Sequence, residues 1–133
     1  MADTLDFELV SPAKLLVSEP VSMVVVPGTE GNFGALPQHA PMLSTVRPGV
    51  IDVYKNGQIA KRIFVAGGFA EVNETRCTVL AEEAHDLSTL TRDSVDARIQ
   101  AAKDALQEAD SASEKAAATS KLKVAEAMLA AIA

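Results

Sequence analysis

The chain has 133 residues, 48% of them hydrophobic and 23% charged, the composition of a folded globular protein and not of a disordered one. Twelve basic side chains against 18 acidic ones, net charge -6, exclude nucleic-acid binding, which needs Lys and Arg to neutralise phosphates, and disfavour an anionic headgroup surface. With no tryptophan and 4% aromatics the core must be built from Val, Leu, Ile and Ala, and the single cysteine, Cys77, excludes an intrachain disulfide.

The opening MADTLDFELV has neither the basic and apolar regions of a secretory signal nor the Arg-rich character of a transit peptide. The longest apolar runs, at 23–26 and 127–133, fall far short of the roughly 20 residues of a membrane helix. The sequence therefore predicts a soluble, cytoplasmic protein that reaches a membrane only through a partner. Leu5, Phe7 and Leu9 alternate with polar residues, and VSMVVV at 21–26, VIDVY at 50–54, RIFVA at 62–66 and CTVLA at 77–81 are β-branched runs. Pro27-Gly28, Pro48-Gly49, Asn56-Gly57 and Gly67-Gly68 punctuate them. Asn56-Gly57 is the clearest hairpin signal, because both central residues of a type I′ turn need positive φ. Closely spaced strands with no helical pattern between them indicate an antiparallel sandwich or barrel. Cys77, inside such a strand, is expected to be buried and inert.

Beyond residue 88 the character changes. The last glycine is Gly68, the last proline Pro48, and alanine becomes the commonest residue. Val95, Ile99, Ala102 and Leu106 fall on one helical face, and Leu122, Ala125, Leu129 and Ile132 on another. Between them DSASE at 110–114 carries Ser111 and Glu114 at capping-box spacing. The reading is an all-β N-terminal sandwich over residues 1–87 followed by an antiparallel two-helix hairpin over 88–133. Alanine-lined helices bury little apolar area, so the hairpin is expected to be weakly held and mobile.

Catalytic constellations do not emerge. His39 and His85, the two histidines, have no metal-ligand spacing with Cys77. His39 is expected as a turn residue and His85 as the start of the linker to the helices. Gly28, Gly31 and Gly34 match neither the P-loop nor the dinucleotide fingerprint, and predict a tight loop with positive φ at several places. Glu82 and Glu83 are adjacent, so they point to opposite faces of a strand end. Lys115, Lys121 and Lys123 are too sparse for a nucleic-acid patch. These features favour a non-catalytic interaction protein.

GNFGALPQHAPML at 31–43, TVRPGVI at 45–51, VAGGFAEV at 65–72 and TVLAEEA at 78–84 together resemble the epsilon subunits of bacterial F-type ATP synthases, over nearly the whole chain. The resemblance implies a non-catalytic central-stalk (rotor) subunit, peripheral on the cytoplasmic face of the bacterial inner membrane. Its sandwich would dock on the gamma subunit and on the polar loops of the c-ring, coupling ring rotation to ATP synthesis. Its hairpin would transiently meet the alpha and beta subunits and restrain ATP hydrolysis. Residues 31–43 would be the exposed end loop resting on the ring, with Glu30, Gly31, Asn32, Phe33, Leu36 and His39 in contact. Phe33 and Leu36 are candidate apolar anchors and His39 a polar contact, although Phe33 reads equally as a plug closing the sandwich. Gly34, Pro37, Pro41, Gly49, Gly67 and Gly68 would shape the loops.

Some positions depart from the family pattern. Gln38 replaces a glycine, which predicts a different backbone at that corner, and Asn32 replaces a residue that is often acidic, weakening the case for an ionic contact there. Val95 stands where ATP-binding members carry Asp, leaving Arg98 as the one matching candidate nucleotide contact, so no cofactor is expected. The competing readings are a free-standing β-sandwich adaptor or ligand sensor with a helical arm, and a small enzyme using His39.

Overall fold

The computed structural model describes residues 3–12 and 14–133. The chain divides into two compact units, one ending at Asp86 and the other beginning at Leu87. The first unit is built from β1 (Leu5–Ser11), β2 (Lys14–Val21), β3 (Met23–Gly28), β4 (Gly31–Ala35), β5 (Met42–Val46), β6 (Gly49–Lys55), β7 (Gln58–Val65), β8 (Gly68–Val72), β9 (Arg76–Ala81) and β10 (Ala84–Asp86). They form one sheet in the order β10-β7-β6-β3-β5-β8-β9-β1-β2, with β4 paired to β3 off this path. The link between β3 and β5 is a single pair, Gly28 opposite Val46. At that hinge the sheet folds into two layers, making the expected sandwich.

Alternation explains the core. Leu5, Phe7 and Leu9 of β1 are buried while Asp6 between them is exposed. With Val24 and Val26 of β3, Ile51 and Val53 of β6, Ile63 and Val65 of β7, Val72 of β8 and Val79 of β9 they fill the interlayer space. Cys77 is fully buried there, and burial pushes its thiol up to about 12, which keeps it protonated and unreactive at neutral pH. Asn56 and Gly57, at φ 53° and 78°, make the left-handed turn of the β6–β7 hairpin.

Three features depart from the sequence reading. β1 and β9 pair in parallel, Asp6 opposite Arg76 through Val10 opposite Leu80, within an otherwise antiparallel sheet. The segment 14–21 is a strand despite Pro20, because β2 ends the sheet and pairs only with β1. His85 does not open a linker. It lies in β10 opposite Phe64, and its Nε2 is 2.5 Å from Glu83 Oε2 in the β9–β10 turn.

The second unit has a 3-10 turn at Leu87–Thr89, then α1 (Arg92–Glu108) and α2 (Ala112–Ile132). Ser111 caps α2, its Oγ accepting from the Glu114 N–H at 3.1 Å, at the position the spacing predicts. α1 carries a capping box of its own, in which Thr91 Oγ1 accepts from the Ser94 N–H and Ser94 Oγ from the Thr91 N–H. Val95, Ala102, Ala118, Ala125 and Met128 are buried, whereas Ile99, Leu106, Leu122, Leu129 and Ile132 are only half-buried. Alanine therefore supplies three of these five buried positions, and Met128 the largest side chain among them.

Candidate functional site

Residues 31–43 are not one loop. Gly31–Ala35 is strand β4, antiparallel to β3, with Phe33 opposite Val26. At ~3.3 Å per residue its five residues carry the chain about 15 Å from one end of the sandwich to the other. Glu30, Gly31 and Asn32 lie at the end where β3 turns into β4. Leu36, Pro37, His39 and Pro41 lie at the opposite end, beside the β8–β9 turn, where the Gln38 N–H donates to the Glu74 carbonyl at 2.7 Å. The six residues expected to share one contact surface are therefore split between two ends.

The β3–β4 turn is tightly held. Of the three glycines expected at positive φ, only Gly31 has it, at 129°. Gly28 is needed for space: a Cβ there would lie 2.8 Å from the Gly31 carbonyl oxygen. Gly34 sits in β4 with ordinary backbone. Two residues at the end of β5 and just beyond it brace the turn. The Thr29 N–H donates to the Thr45 carbonyl at 3.1 Å, and the two threonine hydroxyls are 2.7 Å apart. Arg47 Nη1 donates to the Gly28 carbonyl at 2.5 Å and Nη2 to Asn32 Oδ1 at 2.6 Å. Phe33 packs half-buried against the core, so it is the plug and not a free anchor.

At the far end Gln38 holds φ 67°, so the corner keeps a glycine-type backbone, contrary to expectation. Its neighbour His39 points its Nδ1 to the Ala40 carbonyl at 2.6 Å. Gly67 and Gly68, at φ 121° and 150°, form the β7–β8 connection, and Gly49 has Pro27 Cβ 3.0 Å from where its own Cβ would be.

A feature that the sequence reading missed adjoins the braced turn. Register places Thr45 opposite Phe69, Phe69 opposite Leu80, Leu80 opposite Val10, and Val10 opposite Leu15. All point away from the core. Phe69 is 39% exposed, Leu80 53%, Leu15 57%, and Leu43, two residues before Thr45, 64%. This makes a continuous apolar row across β8, β9, β1 and β2 on the outer face of the sandwich, joined to the β3–β4 turn through Thr45. Solvated sheet faces are ordinarily polar, and such a row marks an interaction surface. Strand alternation could have revealed it: Val10, Phe69 and Leu80 are apolar on the outward side of strands whose inward side is already apolar.

The remaining titratable groups gather no reacting constellation. A cavity of about 210 Å³ between β2 and the β7–β10 edge is lined by Leu9, Leu16, Val17, Lys61, Ile63, Ala84, His85 and Asp86, without a hydroxyl or thiol. Among the described residues no cluster of His, Cys, Asp and Glu could hold a metal ion, and no helix is long and apolar enough to cross a membrane. Arg98 is exposed on α1, while Val95, three residues earlier, is buried.

Comparison with known proteins agrees with this architecture. Residues 4–86 match the family described as ATP synthase, Delta/Epsilon chain, beta-sandwich domain. The chain belongs to that family. It is 65% identical over 131 residues to the ATP synthase epsilon chain of Rhodospirillum rubrum, covering 98% of each chain. It is 61% identical over 133 residues to that of Paramagnetospirillum magneticum, covering 100% of both. Epsilon-chain relatives thus extend through the helical unit, beyond the sandwich that the family description names. In fold the chain resembles one from the OSCP/F1/c-ring structure of the Euglena gracilis mitochondrial ATP synthase, with a TM-score of 0.83, 23% identity and coverage of 100% and 84%. It also resembles one from the central stalk/c-ring structure of the Tetrahymena thermophila enzyme, with a TM-score of 0.73, 16% identity and coverage of 97% and 96%. Membership of the epsilon-chain family disfavours the reading as a free-standing adaptor.

Proposed function

We propose that this chain is a rotor subunit of a bacterial F-type ATP synthase, without an active site of its own, that couples c-ring rotation to ATP synthesis. The apolar row of Val10, Leu15, Phe69 and Leu80 carries the proposal: it is a stiff, sheet-borne surface suited to the gamma subunit. The adjoining β3–β4 turn, polar and braced by Arg47, meets the polar loops of the c-ring. A surface fixed by hydrogen-bonded strands loses little entropy on docking and does not yield under load, both of which a torque-bearing joint needs. Leu36 and His39, at the other end, stand outside this contact. The chain would sit peripherally on the cytoplasmic face of the inner membrane. Its helical hairpin would transiently meet the alpha and beta subunits and restrain hydrolysis.

The test is co-purification with the gamma subunit. Phe69→Glu and Leu80→Glu change exposed positions, so the fold should persist, while two carboxylates in an apolar contact should weaken gamma binding at least ~10-fold together. Undiminished binding by the folded double variant would show that the row is not the docking surface.

A further inference from the structure

The β3–β4 turn ends in two polar side chains, Glu30 and Asn32, and the structure treats them differently. Both are exposed. Asn32 is occupied within the chain, since its Oδ1 accepts from Arg47 Nη2 at 2.6 Å, while the other arm of the same guanidinium reaches the Gly28 carbonyl. Arg47 therefore spans the turn from its first flank to its second. The Arg47 N–H also donates to the Pro27 carbonyl at 2.9 Å, tying the backbone of the same residue to the strand that enters the turn. Glu30 lies between the two tethered flanks, and among the described residues it has no ion-pair partner.

We propose that Arg47 is a positioning residue that closes this turn on itself, withdraws Asn32 from the interface, and presents Glu30 as the carboxylate that pairs with a cationic side chain on the polar loops of the c-ring. The inference rests on the rotor reading above and deepens it. A planar guanidinium can hold two acceptors at fixed separation, which an ammonium cannot do, so arginine is suited to clasping both flanks. A glutamate on a clasped turn enters an ion pair with less conformational freedom to lose than one on a loose turn. The two effects are then coupled: without the clasp the carboxylate is misplaced, and without the carboxylate the clasp has little to present.

The experiment strips this chain from the ATP synthase and rebinds full-length variants. It reads the apparent Kd as a function of salt, and the protons pumped per ATP hydrolysed. Glu30→Gln should weaken rebinding about 2- to 5-fold at low salt and flatten the salt dependence, as expected for one exposed ion pair. Arg47→Ala should do the same, and adding it to Glu30→Gln should cost less than about a further 2-fold, because neighbouring residues in one network are not additive. Arg47→Lys should recover part of the loss. Asn32→Ala, at an exposed position, should resemble Arg47→Ala, and it decides the matter if Arg47→Ala lowers the Tm by more than about 5 °C. The proposal is overturned if Glu30→Gln leaves affinity and salt slope unchanged, or if the Arg47 and Glu30 effects simply multiply. Failure of the wild-type chain itself to rebind would instead overturn the rotor reading, and this inference with it.

Discussion

Glycine and left-handed backbone do not coincide residue for residue in this chain. Gln38 occupies φ 67°, which costs a residue with a Cβ about 1–2 kcal/mol, whereas Gly34 occupies ordinary strand backbone. Gln38→Gly should therefore raise the free energy of unfolding by about 0.5–1 kcal/mol, the relief being reduced by the larger unfolded-state entropy of glycine. Gly34→Ala should change it by less than about 0.5 kcal/mol, since the new methyl group would meet only the flexible Met23 side chain, at 3.4 Å. Gly68→Ala should be severely destabilising, by more than about 2 kcal/mol. Its φ is 150°, and the added Cβ would fall 2.0 Å from the Leu80 carbonyl oxygen, inside the β8–β9 ladder. Urea unfolding of the three variants checks the order. If Gly34→Ala proved the worst of them, the regular spacing of Gly28, Gly31 and Gly34 would mark a backbone constraint after all, as the sequence suggests.

Among the elements, β2 is the most weakly supported by the sheet, because it pairs only with β1. Glu19 clips it across the seam to β6 and β7: Lys55 Nζ donates to Oε2 at 2.9 Å and Lys61 Nζ lies 3.1 Å from Oε1. The hydrogen bond from Lys55, joined against the opposing effect of burial by Lys61, holds the Glu19 carboxyl below its ordinary value of 4.5. A depressed folded-state value means that the clip stabilises fully above that ordinary value and is lost as pH falls through the folded one. With both lysines about 40% exposed, the clip contributes no more than about 1 kcal/mol. Glu19→Gln should lose that stability at neutral pH, and the difference from wild type should shrink on acidification below about pH 4.5. A pH-independent difference in urea unfolding would mean that Glu19 acts by packing alone. At the helical caps, Ser111→Ala should cost about 1 kcal/mol, read as lost helical ellipticity or a lowered midpoint.

The same scale shows what the residues could and could not disclose. β1, β3, β6, β7 and β9 were legible because β-branched alternation and the Asn56-Gly57 turn are local signals. β4 was not, since its two glycines and flanking prolines read as loop, and only pairing with the long β3 makes it a strand. That error placed Glu30 and His39 on one surface, although a strand's length separates them. The apolar row escaped for a related reason: it is assembled from four strands by register, including the parallel β1–β9 pair, and register is not a local property of the chain. The individual candidates Glu30 and Asn32 were legible, but the clasp from Arg47 was not, because Asn32 and Arg47 are 15 residues apart in sequence.

For the molecule as a whole, the sandwich core draws only on residues between Leu5 and Ala84. Nothing in that core comes from the helical unit, so a chain ending at Asp86 should fold and keep both the apolar row and the braced turn. It should rebind the stripped enzyme with affinity close to that of the full chain and support ATP synthesis. Hydrolysis should respond differently. Alanine at three of the five buried positions of the hairpin leaves little apolar area to hold the helices to each other, at ~25 cal/mol per Å². An element held by so small a margin can exchange arrangements on the timescale of turnover and block rotation in one of them. Removing residues 87–133 should therefore raise ATPase activity while leaving proton-driven synthesis intact, measured on the same reconstituted vesicles. Unchanged ATPase would assign the hairpin no braking role. Loss of synthesis would show that the helices, and not the sandwich alone, carry the coupling contact.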